Sequence, residues 1–246
     1  MQFLLLIVVY VVCSFIWYYP IYRKQESSKK VPKKYYIQSF LWGTFPAFIV
    51  AVLAECAVSG LSKLAGMTED DLAYHAIIAF IAYALCEELT KYLFARIAIR
   101  KLENLRRVDI VLLFGMVGIG FEIFEGFIFI ATSGLAAVVI RSVLALHIVC
   151  QFFMGYFYYD ALTCKQSGDI KGYRRYLSIA IIIPTLVHGL HDFAGEMVKS
   201  NGGIDVTGPL GVATDIILVL CIIADIAFII SAIKKAHKSA VESASL

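Results

Sequence analysis

The chain has 246 residues, 60% of them hydrophobic, and a mean hydropathy of +0.79. Soluble domains hold roughly 45–50% apolar residues, so a water-soluble globular protein is excluded and a polytopic membrane protein is expected. About seven spans of roughly twenty residues fit this length with short loops, and a separate soluble domain does not. The formal net charge of +3 is a topology signal and gives no reason to expect a nucleic-acid partner.

Apolar runs bounded by charge, Gly and Pro predict helices at about 2–19, 39–60, 74–95, 109–131, 136–158, 177–198 and 209–232. The expected architecture is therefore all-α: one transmembrane domain over 1–246, with a motif-bearing core at about 74–198. The first run has no basic n-region and no small-residue cleavage site, and Arg23 and Lys24 follow it, so it reads as a retained helix. Of the 22 Lys and Arg, 18 fall after the first, third, fifth and seventh runs, which places the N-terminus outside and the C-terminus in the cytoplasm. The Lys29 to Lys34 cluster is an ordinary juxtamembrane basic run that can meet anionic headgroups. Cys13, Cys56, Cys86, Cys150, Cys164 and Cys221 lie in or beside apolar segments without a C-x-x-C pair and read as reduced packing residues. His75 is expected at the interface, Arg141 snorkels from the fifth span, and Asp215 and Asp225 in the seventh match no motif. Gly115, Gly118 and Gly120 allow close helix approach, and Pro184 loosens the sixth span one turn before His188. The small, polar tail 236–246 is expected to be disordered.

Four polar motifs interrupt these spans: Glu87-Glu88-x-x-Lys91, Glu122-x-x-Glu125, His147-x-x-x-Gln151 and His188-x-x-x-Asp192. A charged group in hydrocarbon costs several kcal/mol unless paired or hydrated. At ~1.5 Å per residue, Glu87 lies roughly 13 Å from the cytoplasmic edge, the two histidines about 17–18 Å and Glu122 about 20 Å, so the four helices meet at one polar level. Spacings of three and four put each motif on one helix face, and these faces turn away from lipid. Glu87 and Glu88 diverge by about 100°, so one can face a cavity while the other pairs with Lys91.

A partly dehydrated carboxylate can serve as a general base or acid, and an imidazole can share that role or donate to an oxyanion. Those are the parts of a water-activating hydrolase. The same groups suit zinc, with Glu122, His147 and His188 as the ligand set if a metal is held. The lack of H-E-x-x-H favours no metal and no cofactor. The bland readings are a buried Glu88–Lys91 pair that fixes packing and histidines that only bridge helices. They must be invoked four times at one depth. A proton- or ion-coupled transporter is the alternative function, against which stands the absence of an inverted repeat. A seven-helix receptor leaves the carboxylates without a purpose.

The ordered motifs Cys86-Glu87-Glu88-Leu89-Thr90-Lys91, Gly120-Phe121-Glu122-Ile123-Phe124-Glu125, His147 to Gln151 and His188-Gly189-Leu190-His191-Asp192-Phe193 resemble those of the PrsW family of intramembrane proteases, relatives of the CAAX prenyl endopeptidases. The resemblance covers roughly residues 80 to 195. It implies proteolysis of a membrane-anchored protein, such as an anti-sigma factor, within the lipid bilayer of a prokaryotic cytoplasmic membrane. It implies that Glu87 and Glu88 activate water, assisted by Glu122, Glu125 and His147, that His188 and Asp192 shape the site or stabilise an oxyanion, and that Lys91 and Gln151 support them. It leans towards glutamate catalysis, with zinc as the alternative. Gly126 stands where many members are expected to have Asn, and His191 has no assigned role.

Overall fold

Backbone groups in hydrocarbon have to be paired within the chain, and helices do this segment by segment. A computed structural model describes residues 2–24, 31–69, 71–200 and 209–244, and no strand occurs among them. The helices are α1 (Gln2–Ser14), α2 (Tyr19–Lys24), α3 (Lys33–Trp42), α4 (Phe48–Leu64), α5 (Leu72–Ile77), α6 (Cys86–Ile99), α7 (Arg107–Leu144), α8 (Leu146–Gln166), α9 (Ile170–Ser200) and α10 (Pro209–Ala244). Two π-helical segments, Gly43–Ala47 and Ile78–Leu85, join α3 to α4 and α5 to α6. Four stretches, Lys33–Leu64, Leu72–Ile99, Arg107–Ala131 and Ile170–Glu196, are long and apolar enough to cross a membrane. The shortest has 25 residues, which at ~1.5 Å each exceeds a hydrocarbon core of about 30 Å.

α7 is the central post. It is apolar on every side and packed on every side: Val108, Ile110 to Phe114, Val117, Ile119 and Phe121 are all buried. Its first turn is closed by Asp109, whose carboxylate accepts from the Arg106 backbone N–H at 2.9 Å and from the Arg106 guanidinium. α3 crosses it in backbone contact. A Cβ at Gly43 would lie 2.0 Å from Val117 O, and one at Gly120 would lie 2.2 Å from Phe40 O, so glycine at both crossings lets the helices meet this closely. Ahead of α5, Asp71 accepts from the Thr68 backbone N–H at 2.7 Å and its hydroxyl at 3.0 Å, which hold the carboxyl below its usual range.

Several boundaries depart from the sequence expectation. The first span is α1, a turn and α2 rather than one helix over 2–19. A loop was expected at 132–135, but α7 continues to Leu144 and the chain breaks instead at Ala145, with φ 42°. Thr132-Ser133-Gly134 is a weak breaker: a helical Gly costs about 1 kcal/mol relative to Ala, less than leaving backbone groups unpaired in an apolar setting. α9 likewise runs through Pro184 without ending. The tail expected to be disordered is helical as far as Ala244. Ala232, Ala236 and Ala240 form a buried stripe at four-residue spacing, and Lys24 Nζ lies 3.3 Å from His237 Nδ1. His75, expected at the interface, is buried, with Nε2 2.8 Å from Glu69 O and Nδ1 3.6 Å from Glu196 Oε2. The side chains of Arg141, Asp215 and Asp225 lie outside the described residues. The five cysteines described are unpaired thiols.

Candidate active site

The π-helical segment Ile78–Leu85 ends one residue before α6 brings in Glu87 and Glu88. Such i→i+5 turns recur at functional sites because they re-aim the residues that follow. Glu87 and Glu88 flank one cation rather than dividing the work. Lys91 Nζ donates to Glu87 Oε2 and Glu88 Oε1, at 2.9 Å each, and lies 2.8 Å from His147 Nδ1. The ammonium also sits 3.9 Å from the centre of the Phe121 ring, a favourable seat for a desolvated cation. Lys91 and Glu88 are fully buried, and Glu87 is 6% exposed.

His147 enters at the second residue of α8, directly after the left-handed Ala145. A non-glycine residue held there stores of order 1–3 kcal/mol, a pattern that clusters at functional sites. The break starts α8 inside the protein and turns His147 between two helices. Since Nδ1 accepts from the Lys91 ammonium, Nε2 carries the hydrogen and donates to Glu125 Oε2 at 2.5 Å, an assignment made from the network. Glu122 Oε2 lies 3.9 Å from the same nitrogen. Its other oxygen, Oε1, accepts from the Tyr10 hydroxyl.

From α9, His188 Nδ1 lies 3.0 Å from Glu88 Oε1 and Nε2 lies 3.2 Å from Asp192 Oδ2, so a carboxylate faces each ring nitrogen. The ring packs edge-on to His147 at 4.9 Å between centroids. Gln151, one turn along α8 from His147, donates from Nε2 to Glu88 Oε2 at 3.1 Å. Both Glu88 oxygens are therefore engaged. Glu87 Oε1, by contrast, makes no hydrogen bond among the described residues. Thus Glu87, Glu88, Lys91, Glu122, Glu125, His147, Gln151, His188 and Asp192, all named from the sequence, lie in one linked cluster drawn from α6, α7, α8 and α9.

The donor set was tested against a metal. Among the described residues the group whose ligand atoms converge is Glu87, His147 and His188, with all three atoms within 4.8 Å of one another. This differs from the set Glu122, His147 and His188, because Glu122 faces Nε2 of His147 whereas Glu87 lies 3.7 Å from Nδ1. Two imidazoles and one carboxylate fit zinc by donor type. The Lys91 ammonium uses two of the same donor residues.

Two residues of the site went unnamed in the sequence. Glu55 of α4 lies within electrostatic reach of Glu87, Glu125, Lys91 and Asp192. A lone carboxylate inside a predicted span was the available signal. Tyr10 of α1, one aromatic residue in an apolar run, gave no signal.

Comparison with known proteins points the same way as this geometry. Residues 31–224 match a family model described as PrsW family intramembrane metalloprotease. A protein named Protease PrsW from Shouchella clausii (strain KSM-K16) is 33% identical over 130 residues, which is 51% of this chain and 58% of that protein. Another of that name from Clostridioides difficile (strain 630) is 26% identical over 178 residues, 70% of this chain and 71% of that one. No solved structure matches.

Proposed function

Because the chain belongs to the PrsW family of intramembrane metalloproteases, we propose that it is an endopeptidase that hydrolyses a peptide bond of a membrane-anchored protein, such as an anti-sigma factor, at the polar site among α6 to α9. The observation that carries this reading is the uncommitted Glu87 Oε1 beside two buried histidines and a fixed ammonium. Glu87 takes a proton from the attacking water and delivers it to the leaving amine. Glu88, with both oxygens engaged, holds Lys91, Gln151 and His188 in place. Glu122 and Glu125 orient His147, and Asp192 orients His188. Lys91 offers the positive charge against which an oxyanion can develop. A transporter using the same groups is disfavoured by the family membership.

Two forms of this chemistry are distinguished by experiment. The Lys91 ammonium beside Glu87 and His147 favours a glutamate mechanism. The convergence of Glu87, His147 and His188 favours a metal-assisted one. A metal held by those three residues would supply a Lewis acid to water and carbonyl. In the test, the purified full chain is given a single-span substrate while its metal content is measured before and after chelation. Cleavage that persists without stoichiometric metal is expected. Stoichiometric zinc whose removal and return switches cleavage off and on would overturn the glutamate form.

The orientation follows from the charge split: seven crossings in a prokaryotic cytoplasmic membrane, with the N-terminus outside and the basic loops in the cytoplasm. A cysteine introduced at 29–34 is then labelled by an impermeant thiol reagent only in inverted vesicles. Labelling from the outside of intact cells would reverse the orientation.

A further inference from the structure

Tyr10 lies ahead of residues 31–224, to which the family model extends, and none of the four motifs includes it. Its side chain is nonetheless fully buried, and its hydroxyl donates to Glu122, at the carboxylate Oε1 and, at 3.0 Å, at the backbone oxygen. The other carboxylate oxygen of Glu122 faces His147 Nε2 at 3.9 Å. A continuous line therefore runs from α1 to the imidazole: phenol, carboxylate, ring nitrogen.

The surroundings are shaped for that phenol. A Cβ at residue 126 would lie 2.1 Å from Tyr10 Cε1 and 2.4 Å from its hydroxyl oxygen, so the ring occupies the space beside Gly126 that any other side chain would need. Leu6 and Ile130 pack against the ring, and the Ser14 hydroxyl donates to Tyr10 O at 3.0 Å, tying down the next turn of α1. A buried phenol needs an acceptor and a buried carboxylate needs a donor; each meets the other's requirement in a hydrogen bond to a charged group, which is stronger than a neutral one. The absence of a side chain at Gly126, a departure within the Glu122-x-x-Glu125 segment, is in this light the seat of a side chain delivered by another helix.

We infer that Tyr10 is a positioning residue of the hydrolytic site, fixing Glu122 so that its second oxygen supports His147, and that α1 is by this contact a working part of that site. The inference rests on the hydrolytic reading given above.

The test uses the full chain in phospholipid vesicles with the single-span substrate. Tyr10→Phe keeps the ring against Gly126 and removes only the hydroxyl. It should lower kcat about tenfold, since small misplacement of a catalytic group is costly, with KM within about twofold. Leu6→Val trims the same packing cluster without touching a polar atom and should leave kcat unchanged. A double-mutant cycle of Tyr10→Phe and Glu122→Gln, read on the unfolding midpoint, should be non-additive. Unchanged kcat in Tyr10→Phe, or an equal loss in Leu6→Val, overturns the inference, as does an additive cycle. If the wild-type chain cleaves nothing while the cycle is non-additive, the hydrolytic reading and the positioning role fall together and the Tyr10–Glu122 pairing stands.

Discussion

Glu87→Gln is expected to abolish cleavage of the test substrate while leaving the fold in place. Glutamine keeps the length and shape of the side chain but cannot take up a proton, and removal of a general base typically costs 10²–10⁴-fold. The fold survives because the Lys91 ammonium keeps Glu88 at 2.9 Å and His147 at 2.8 Å. Glu88→Gln is the informative contrast. Its two oxygens receive Lys91, Gln151 and His188, so an amide nitrogen in place of one oxygen sets donor against donor in a fully buried setting. That variant should lose stability as well as turnover. Measuring kcat beside the unfolding midpoint separates the two, and turnover at the wild-type level in Glu87→Gln would remove this carboxylate from the mechanism.

Lys91→Met should have the largest effect on stability. The side chain is fully buried, and its ammonium compensates two carboxylates of one helix turn while resting on the Phe121 ring. Methionine replaces the stem but leaves Glu87 and Glu88 side by side without their cation. Breaking a buried ion pair by removing one partner costs about 3–5 kcal/mol. Unfolding in a graded denaturing detergent is the measurement. A midpoint equal to that of the wild-type chain would show that the pair contributes little. Recovery of the midpoint in the double variant Lys91→Met, Glu88→Gln would show that the loss came from uncompensated charge and not from packing.

The motif residues were legible because hydrocarbon is a severe solvent for charge. Glu87, Lys91, Glu122, His147 and His188 stand out of apolar runs, and helical spacing fixes which neighbours share their face. Their partners across helices were not legible: that Gln151 would hold Glu88, or that Lys91 would take both glutamates and a histidine, depends on helix rotation, which periodicity does not specify. The break at Ala145 was hidden for a different reason. Ser142-Val143-Leu144-Ala145-Leu146 contains neither Gly nor Pro, so the left-handed residue is imposed by packing around the site, and local propensity predicts no turn there. Glu55 was overlooked although its charge was visible, since it has no second polar residue at motif spacing. The helical tail shows the converse. Ala232, Ala236 and Ala240 look featureless as composition, but their four-residue repeat supplies a narrow face against which another helix can close.

The segment Ile78–Leu85 makes the aim of the glutamates a matter of counting. An i→i+5 turn holds more residues than an α-turn, so the angle at which α6 leaves it depends on how many residues were spent before Cys86. One residue more or fewer there would swing everything downstream by about 100°, the angle that separates Glu87 from Glu88. Side chains along this stretch can vary as long as they suit their neighbours, but its length cannot, because an insertion or deletion would present the wrong member of the pair to the histidines.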